Sequence, residues 1–299
     1  MTPSTQATMK SLSALFLATL SLLGEASAQS GGDVGHGAPM RRAIEAVIWG
    51  IPLVNYDRML QAAIANGGAA NQVIYWSQPV DSKNQTLTPN PDTIYLNPFY
   101  DTRKGPVVME IPPAGDDGVI VGSVDISWQN ALIDVGPAGE DKGKGGRYLI
   151  TPPGYKEKAP EGYHVLPSDT YLGFVILRSN FKSRSEEDIA AAVEHGKKIK
   201  FYPLGASPDS TVFVDVHGKD FDSTIPYDLR FFESLDRMVQ IEPWQTRDKL
   251  MIPMLKTIGI EKGKPFQPDA AMKKILGEAL KEARAEIGGS YESNFDPPF

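Results

Sequence analysis

The sequence contains no cysteine among its 299 residues. This absence excludes disulfide bonds, zinc sites with thiolate ligands and thiol nucleophiles. The four histidines, His36, His164, His195 and His217, are scattered along the chain. None of them shows the i, i+4 or His-x-His spacing that brings two imidazoles onto one ion. We therefore expect no bound metal.

Positive charge is also scarce relative to negative charge. The chain has 30 Lys and Arg against 37 Asp and Glu, which gives a formal net charge of -7. Binding to a phosphate backbone requires clustered Lys and Arg side chains. The acidic balance thus argues against nucleic acid as a partner.

Common catalytic and cofactor motifs are missing as well. No Gly-x-Ser-x-Gly nucleophile elbow occurs. The glycine-rich segment 136–146 lacks the order of a phosphate-binding loop, and its acidic residues would repel phosphate. We interpret it as a surface turn and expect no cofactor. No catalytic residue is identified by these motifs.

Only one long hydrophobic run is present, over residues 12–23. It is shorter than the roughly 20 residues of a membrane-spanning helix. Lys10 precedes the run, and the small-x-small tripeptide 26–28 follows it, as in a secretory signal peptide. We predict a signal peptide over residues 1–28, cleaved near Ala28-Gln29. The mature protein is expected to be periplasmic or secreted by a bacterium, without a membrane span.

Helices are predicted at the start of the mature chain. Residues 29–38 are rich in glycine and indicate a flexible lead-in. Residues 39–70 are predicted to be helical, because Pro39 suits the first position of a helix. Gly50-Ile51-Pro52 is expected to kink or break this segment. Asn66-Gly67-Gly68 is expected to end it with a left-handed cap.

The central part, residues 71–218, has the pattern of a β-rich body. Short apolar segments alternate with Pro, Gly, Asn and Asp, which favours a sandwich over alternating βαβ units. Segments 107–111 and 119–124 are predicted to form a hairpin. One helix is expected near 185–199, beginning at Ser185. Further strands are predicted at 148–150, 163–166, 171–177 and 212–216.

Helical periodicity returns over residues 219–290. One amphipathic helix is predicted around 229–239, a second from Pro243 and a third from Pro268. Residues 291–299 are interpreted as a tail.

A first candidate site is the segment 88–95, Thr-Pro-Asn-Pro-Asp-Thr-Ile-Tyr. Its two prolines restrict the backbone, so that Asn90, Asp92 and Tyr95 are held in place before a ligand arrives. The same side chains are equally suited to bonding nearby backbone N–H groups in a turn. In the second case Asp92→Ala would destabilise the protein by roughly 1 kcal/mol.

A second candidate site is the segment 125–130, Asp-Ile-Ser-Trp-Gln-Asn. Asp125 and Trp128 are suited to a pocket, since ligand pockets combine aromatic walls with a few polar groups. Alternatively, Trp128 covers the end of the core and its neighbours face water. Both interpretations stay open.

The segment 88–95 also resembles the domain of unknown function 1254. The likeness extends over most of the mature chain and rests on the segments 43–53, 105–112, 146–155, 231–235 and 258–266. The resemblance implies an α+β fold, with an immunoglobulin-like β-sandwich between an N-terminal helical segment and a C-terminal helical region. It also implies a second sandwich domain, the domain of unknown function 1214, in full-length relatives, and the chain stops at Phe299 before such a domain.

Two functional hypotheses follow. The first is a non-catalytic binding or interaction module of the cell envelope, with a small-molecule ligand. The second is an envelope hydrolase that uses carboxylates such as Asp92 and Asp125 as acid and base. The second hypothesis requires that these two carboxylates line one pocket.

Overall fold

The computed structural model describes residues 31–86 and 90–295. The predicted signal peptide lies outside these residues. Within them the chain forms a mixed α+β fold with several sheets, and it contains five α-helices. The helices are α1 (Gly31–Ala65), α2 (Glu186–Gly196), α3 (Arg230–Ile241), α4 (Met251–Thr257) and α5 (Ala270–Phe295).

The strands form two larger sheets and one small one. The strands are β1 (Gln72–Tyr75), β2 (Asn84–Gln85), β3 (Thr93–Asp101), β4 (Val107–Ile111), β5 (Ile120–Ile126), β6 (Ala131–Val135), β7 (Gly146–Thr151), β8 (His164–Pro167), β9 (Leu172–Asn180), β10 (Lys200–Pro203), β11 (Phe213–Asp215) and β12 (Phe221–Asp222). The central sheet has the order β11-β1-β3-β9-β5-β6, the second has β10-β4-β7-β8, and the third has β12-β2.

The central sheet is covered on both faces. Successive side chains of a strand point to opposite faces, and β9 illustrates this. Val175 and Leu177 pack in one core with Met109 and Tyr148 of the four-stranded sheet. Phe174 belongs to a different core, which it shares with the helices. The central sheet therefore lies between a second sheet and a helical layer.

Most predicted strands are confirmed, but the hairpin of segments 107–111 and 119–124 is wrong. β4 pairs with β7 and β10, whereas β5 pairs with β6 and β9. The connection over residues 112–119 contains two prolines and is long enough to lead from one sheet to the other. The immunoglobulin-like topology is not confirmed, and three neighbouring strand pairs, β1 with β11, β7 with β8 and β2 with β12, are parallel.

Of the kink or break predicted at Gly50-Ile51-Pro52, the break is wrong, because α1 runs unbroken through Pro39 and Pro52. The predicted lead-in is also helical from Gly31 onward. Tertiary packing outweighs the lost hydrogen bond at Pro52, since α1 contributes a long buried stripe to the helical core. A Cβ added to Gly50 would lie 2.9 Å from Leu235 Cδ1, so this glycine allows α3 to approach.

The predicted end of α1 is confirmed. Gly67 has a φ of 91°, and the N–H of Gly68 donates to Ala63 O at 2.9 Å. This is the left-handed termination that glycine favours. The start of α2 is confirmed too, because the side chain of Ser185 accepts a hydrogen bond from the N–H of Asp188.

The C-terminal helices match the prediction only in part. The helices predicted around 229–239 and from Pro268 are confirmed as α3 and α5, and α5 extends to Phe295 into the predicted tail. No helix begins at Pro243, and α4 begins at Met251. Glu242 has an extended backbone that ends α3, and a 3-10 turn over Thr246–Asp248 leads into α4.

Candidate functional site

A cleft of about 240 Å³ opens between the central sheet and α1. Its lining combines apolar and aromatic side chains with amides, hydroxyls and one arginine. The lining residues are Asn55, Met59, Trp76, Asn84, Thr86, Tyr95, Asn97, Gln129, Phe174, Ile176, Arg178 and Ser223.

The floor of the cleft is built from three neighbouring strands. Tyr95 of β3 is paired with Arg178 of β9, and Asn97 is paired with Ile74 of β1. Residues two apart on a strand share a face, so Tyr95 and Asn97 lie on the same face. Phe174, Ile176 and Arg178 share a face of β9 for the same reason. The pleat of these strands thus collects polar and aromatic side chains at one place.

A network of side-chain amides forms the wall of the cleft that faces the strand floor. The side-chain amide of Gln129 donates to Pro52 O at 2.8 Å and to Asn55 Oδ1 at 2.9 Å. Asn55 Nδ2 in turn donates to Ser223 O at 3.2 Å. Gln129 has a φ of 60°, a left-handed conformation that is uncommon outside glycine. The network connects the β5–β6 turn, α1 and the segment after β12 around the cleft.

Tyr95 and Arg178 form a pair on the floor of the cleft. Arg178 Cζ lies 5.4 Å from the centre of the Tyr95 ring, and its Nε is 3.5 Å from Tyr95 Oη. The backbone N–H of Asn90 donates to the same hydroxyl oxygen at 2.9 Å. Since Oη accepts these bonds, its own hydrogen is available to a ligand.

Asn97 supplies a buried oxygen without a donor. With the amide oriented as in the structure, Asn97 Oδ1 is inaccessible to solvent and has no hydrogen-bond partner. Buried polar atoms of this kind are rare and need an explanation, such as a ligand or water. Arg178 is the only charged residue of the described lining, which contains no Asp, Glu or His.

One family model matches the central region of the chain. Residues 70–203 match the family described as Protein of unknown function (DUF1254). The resemblance inferred from the sequence is confirmed over this range, which leaves out the segments 43–53, 231–235 and 258–266. The DUF1254 region supplies nine of the twelve residues that line the cleft, and Asn55, Met59 and Ser223 lie outside it.

Solved structures support the fold alone. The VPA0106 protein from Vibrio parahaemolyticus has 16% sequence identity and a TM-score of 0.61, and the match covers 84% of this chain and 59% of that protein. The chain thus spans 59% of the length of its Vibrio relative. An uncharacterized protein from Burkholderia cenocepacia has 8% identity and a TM-score of 0.29, over 91% of this chain and 62% of that one. No functionally curated protein matches the sequence.

The first candidate segment lies at the edge of the cleft. Its residues Thr88 and Pro89 are outside the described part of the chain. Asn90 Oδ1 accepts the N–H of Asp92 at 2.9 Å, which closes a turn before β3. The carboxylate of Asp92 pairs with Arg184 at 2.7 Å, and both side chains are more than 60% exposed. Of the three predicted residues, Tyr95 alone lines the cleft.

The turn suggests a test that separates Asn90 from Asp92. Asn90→Ala is expected to lower the free energy of unfolding by about 1 kcal/mol, because the side-chain acceptor of the turn is lost. Asp92→Ala is expected to change it by about 0.5 kcal/mol or less, since exposed ion pairs contribute little. Urea denaturation of both variants measures the difference. A larger loss for Asp92→Ala would show that its ion pair, and not the turn, orders this segment.

The second candidate segment is divided between two places. Asp125 is buried on β5, and burial, with Asp134 nearby, raises the pKa of its carboxyl to about 6. Trp128 packs against Trp49, with ring centres 4.8 Å apart, and Arg247 Cζ lies 5.9 Å from its ring. Neither residue lines the cleft, although Gln129, which follows Trp128, does.

Sequence reasoning missed Asn97 and Arg178 as site residues. Both lie in strands, where single polar side chains are usually assigned to the solvent face. The spacing along each strand indicates a shared face, because Asn97 follows Tyr95 by two positions and Arg178 follows Phe174 by four. The pairing of β3 with β9, which places the two residues together, is not visible in either segment alone.

Proposed function

We propose that the protein is an exported binding module that holds one small polar ligand in the cleft between β3, β9 and α1. The observation that carries this proposal is the buried oxygen of Asn97, which has no partner in a cleft with aromatic walls. Burial of an amide oxygen without a hydrogen bond costs roughly 1–3 kcal/mol. A ligand that donates to this oxygen recovers that free energy.

The size and lining of the cleft agree with a binding role. Pockets for drug-sized ligands have volumes of roughly 300–1,000 Å³, so a cleft of about 240 Å³ fits a smaller molecule. Trp76 and Phe174 offer apolar walls, and both are nearly fully buried. The amides of Asn55 and Gln129 are held by the network described above, so they need little reorganisation on binding.

Export is the second part of the proposal, and it rests on the sequence of residues 1–28. Within residues 31–86 and 90–295, no helix has the length and hydrophobicity needed to cross a membrane. A place in the cell envelope, an immunoglobulin-like topology and a second sandwich domain in longer relatives remain predictions.

The hydrolase hypothesis has less support. It needs Asp92 and Asp125 in one pocket, but Asp92 is ion-paired at the surface and Asp125 is buried on β5. The described lining of the cleft offers no carboxylate or imidazole as a general base. We therefore favour binding over hydrolysis.

Thermal unfolding in the presence of small metabolites and sugars tests the binding proposal. A ligand present at about 100 times its Kd stabilises the protein by about 2.7 kcal/mol. For a chain of this size that raises the Tm by roughly 5 °C or more. Ile176→Trp, which fills the cleft from its floor, is expected to abolish the rise.

The matched control is Val165→Trp on β8, because Val165 is exposed on the other sheet. This variant is expected to keep the ligand-induced rise in Tm. A rise that survives in Ile176→Trp would place the ligand elsewhere and refute the proposed site.

A further inference from the structure

We propose that the ligand of the cleft is a small ring compound that carries one carboxylate together with hydroxyl groups. This inference rests on the proposed binding function and specifies the chemistry of the ligand. Two sources share that chemistry, namely sugar acids and hydroxylated aromatic acids. Its evidence is the position of three side chains, Arg178, Tyr95 and Asn97, on one face of β3 and β9.

Arg178 indicates the negative charge. Its guanidinium contacts Tyr95 through the ring face and Oη, and among the described residues it has no carboxylate partner. The cleft lining contains no Asp or Glu that would neutralise it. Guanidinium groups bind carboxylates through two parallel hydrogen bonds, which is their preferred geometry. A ligand carboxylate thus completes the coordination of Arg178, and the hydroxyl of Tyr95 is positioned to donate a further bond.

Asn97 indicates the hydroxyl groups. Its buried Oδ1 accepts no hydrogen bond from the described residues, so a ligand hydroxyl that donates to it would be stabilised. Sulfate has only acceptor oxygens and leaves Asn97 unsatisfied. Asn97 lies two residues from Tyr95 on β3, which corresponds to about 7 Å along the strand. The donor group of the ligand is therefore separated from its carboxylate by about the width of a ring.

The apolar part of the floor indicates the ring. Ile176 lies level with Asn97 on the paired strands and Phe174 lies two residues further along β9, while Trp76 follows β1 beside Tyr95. Aromatic side chains pack well against the flat apolar faces of sugars and aromatic rings. A cleft of about 240 Å³ has room for one such ring but cannot enclose an entire oligomer.

Isothermal titration of the full chain with paired compounds tests this inference. The pairs are glucuronate against glucose, and 4-hydroxybenzoate against phenol. We expect at least one acid to bind about tenfold or more tightly than its neutral counterpart, as expected for hydrogen bonds to a charged group. Arg178→Gln is expected to remove this preference. Asn97→Leu is expected to weaken binding of that acid by about tenfold.

Arg184→Gln is the matched control, because Arg184 lies outside the cleft and pairs with Asp92 at the surface. It is expected to bind the acid as the wild type does. The member of the panel that binds distinguishes a sugar acid from an aromatic one.

Two results would overturn the inference. If a neutral compound binds as tightly as its acid and Arg178→Gln has no effect, the ligand is not a carboxylate, while the binding function stands. If no compound of the panel binds at millimolar concentration, the ring-carboxylate class is wrong. The screen with Ile176→Trp then decides separately whether the cleft binds any ligand.

Discussion

Glu242→Gln is expected to abolish a stabilisation of about 2.5 kcal/mol that the wild-type protein gains when the pH falls from about 8 to about 5. Glu242 follows α3 and is 5% exposed. Its Oε2 accepts the N–H of Tyr171 at 2.7 Å, and its Oε1 accepts the N–H of Leu172 at 2.9 Å. Burial outweighs these bonds and raises the pKa of the carboxyl from 4.5 to about 7.

The direction of the pH effect follows from where the proton binds more tightly. The pKa of Glu242 is higher in the folded than in the unfolded state, so protonation favours folding. This stabilisation is complete below the unfolded pKa of 4.5 and is lost as the pH rises through about 7. A glutamine side chain does not titrate, so the variant is not stabilised when the pH falls. Asp125, with its pKa of about 6, contributes in the same direction to both proteins and cancels in their difference.

Urea denaturation of both proteins between about pH 5 and pH 8 measures the effect. At about pH 5 the variant is expected to be less stable by roughly 2 kcal/mol, because its amide nitrogen cannot accept the N–H of Tyr171. By about pH 8 the difference in stability should be close to zero, because the wild type loses about 2.5 kcal/mol over this range. Glu233→Gln, at an exposed position of the same helix, should keep the wild-type pH dependence. Parallel pH curves for wild type and Glu242→Gln would show that Glu242 does not titrate in this range.

The sequence predicts the helices and strands of this fold better than it predicts which of them pair or pack together. Local patterns were sufficient for α2, α3 and most strands, because capping and periodicity are properties of short segments. They failed for β4 and β5, which are neighbours in sequence but belong to different sheets. They also failed at Pro52, where the local preference against a helix is weaker than the burial of α1 among the other helices. In both cases distant residues decide the outcome.

The candidate site shows the same limit. The proline-rich segment correctly drew attention to the edge of the cleft, where Tyr95 lines the floor. Its acidic residue Asp92 pairs instead with Arg184 at the surface, and nothing in the local sequence indicates this partner. The pair of Tyr95 with Arg178 joins positions 83 residues apart. Only the register of β3 against β9 brings them together.

Gly173→Ala is expected to destabilise the protein by about 3 kcal/mol or more, the largest effect of any single methyl group that we predict. Gly173 lies on β9, next to Phe174 of the cleft floor. A Cβ at this position would lie 2.1 Å from Tyr100 Cζ and 2.4 Å from Asp125 O. Tyr100 is fully buried, and the carbonyl oxygen belongs to the paired strand β5. Neither group can retreat without a shift of the central sheet.

Gly277→Ala is the matched control, because it adds the same methyl group inside α5 with no atom within 4 Å. This change is expected to stabilise the protein by about 0.5–1 kcal/mol, as alanine is the better helix former. Thermal and urea denaturation of the two variants should therefore give shifts of opposite sign. If Gly173→Ala were tolerated, the sheet behind the cleft would be able to separate at β5 and β9. The fixed positions of Phe174 and Arg178, on which the ligand proposal depends, would then lose their support.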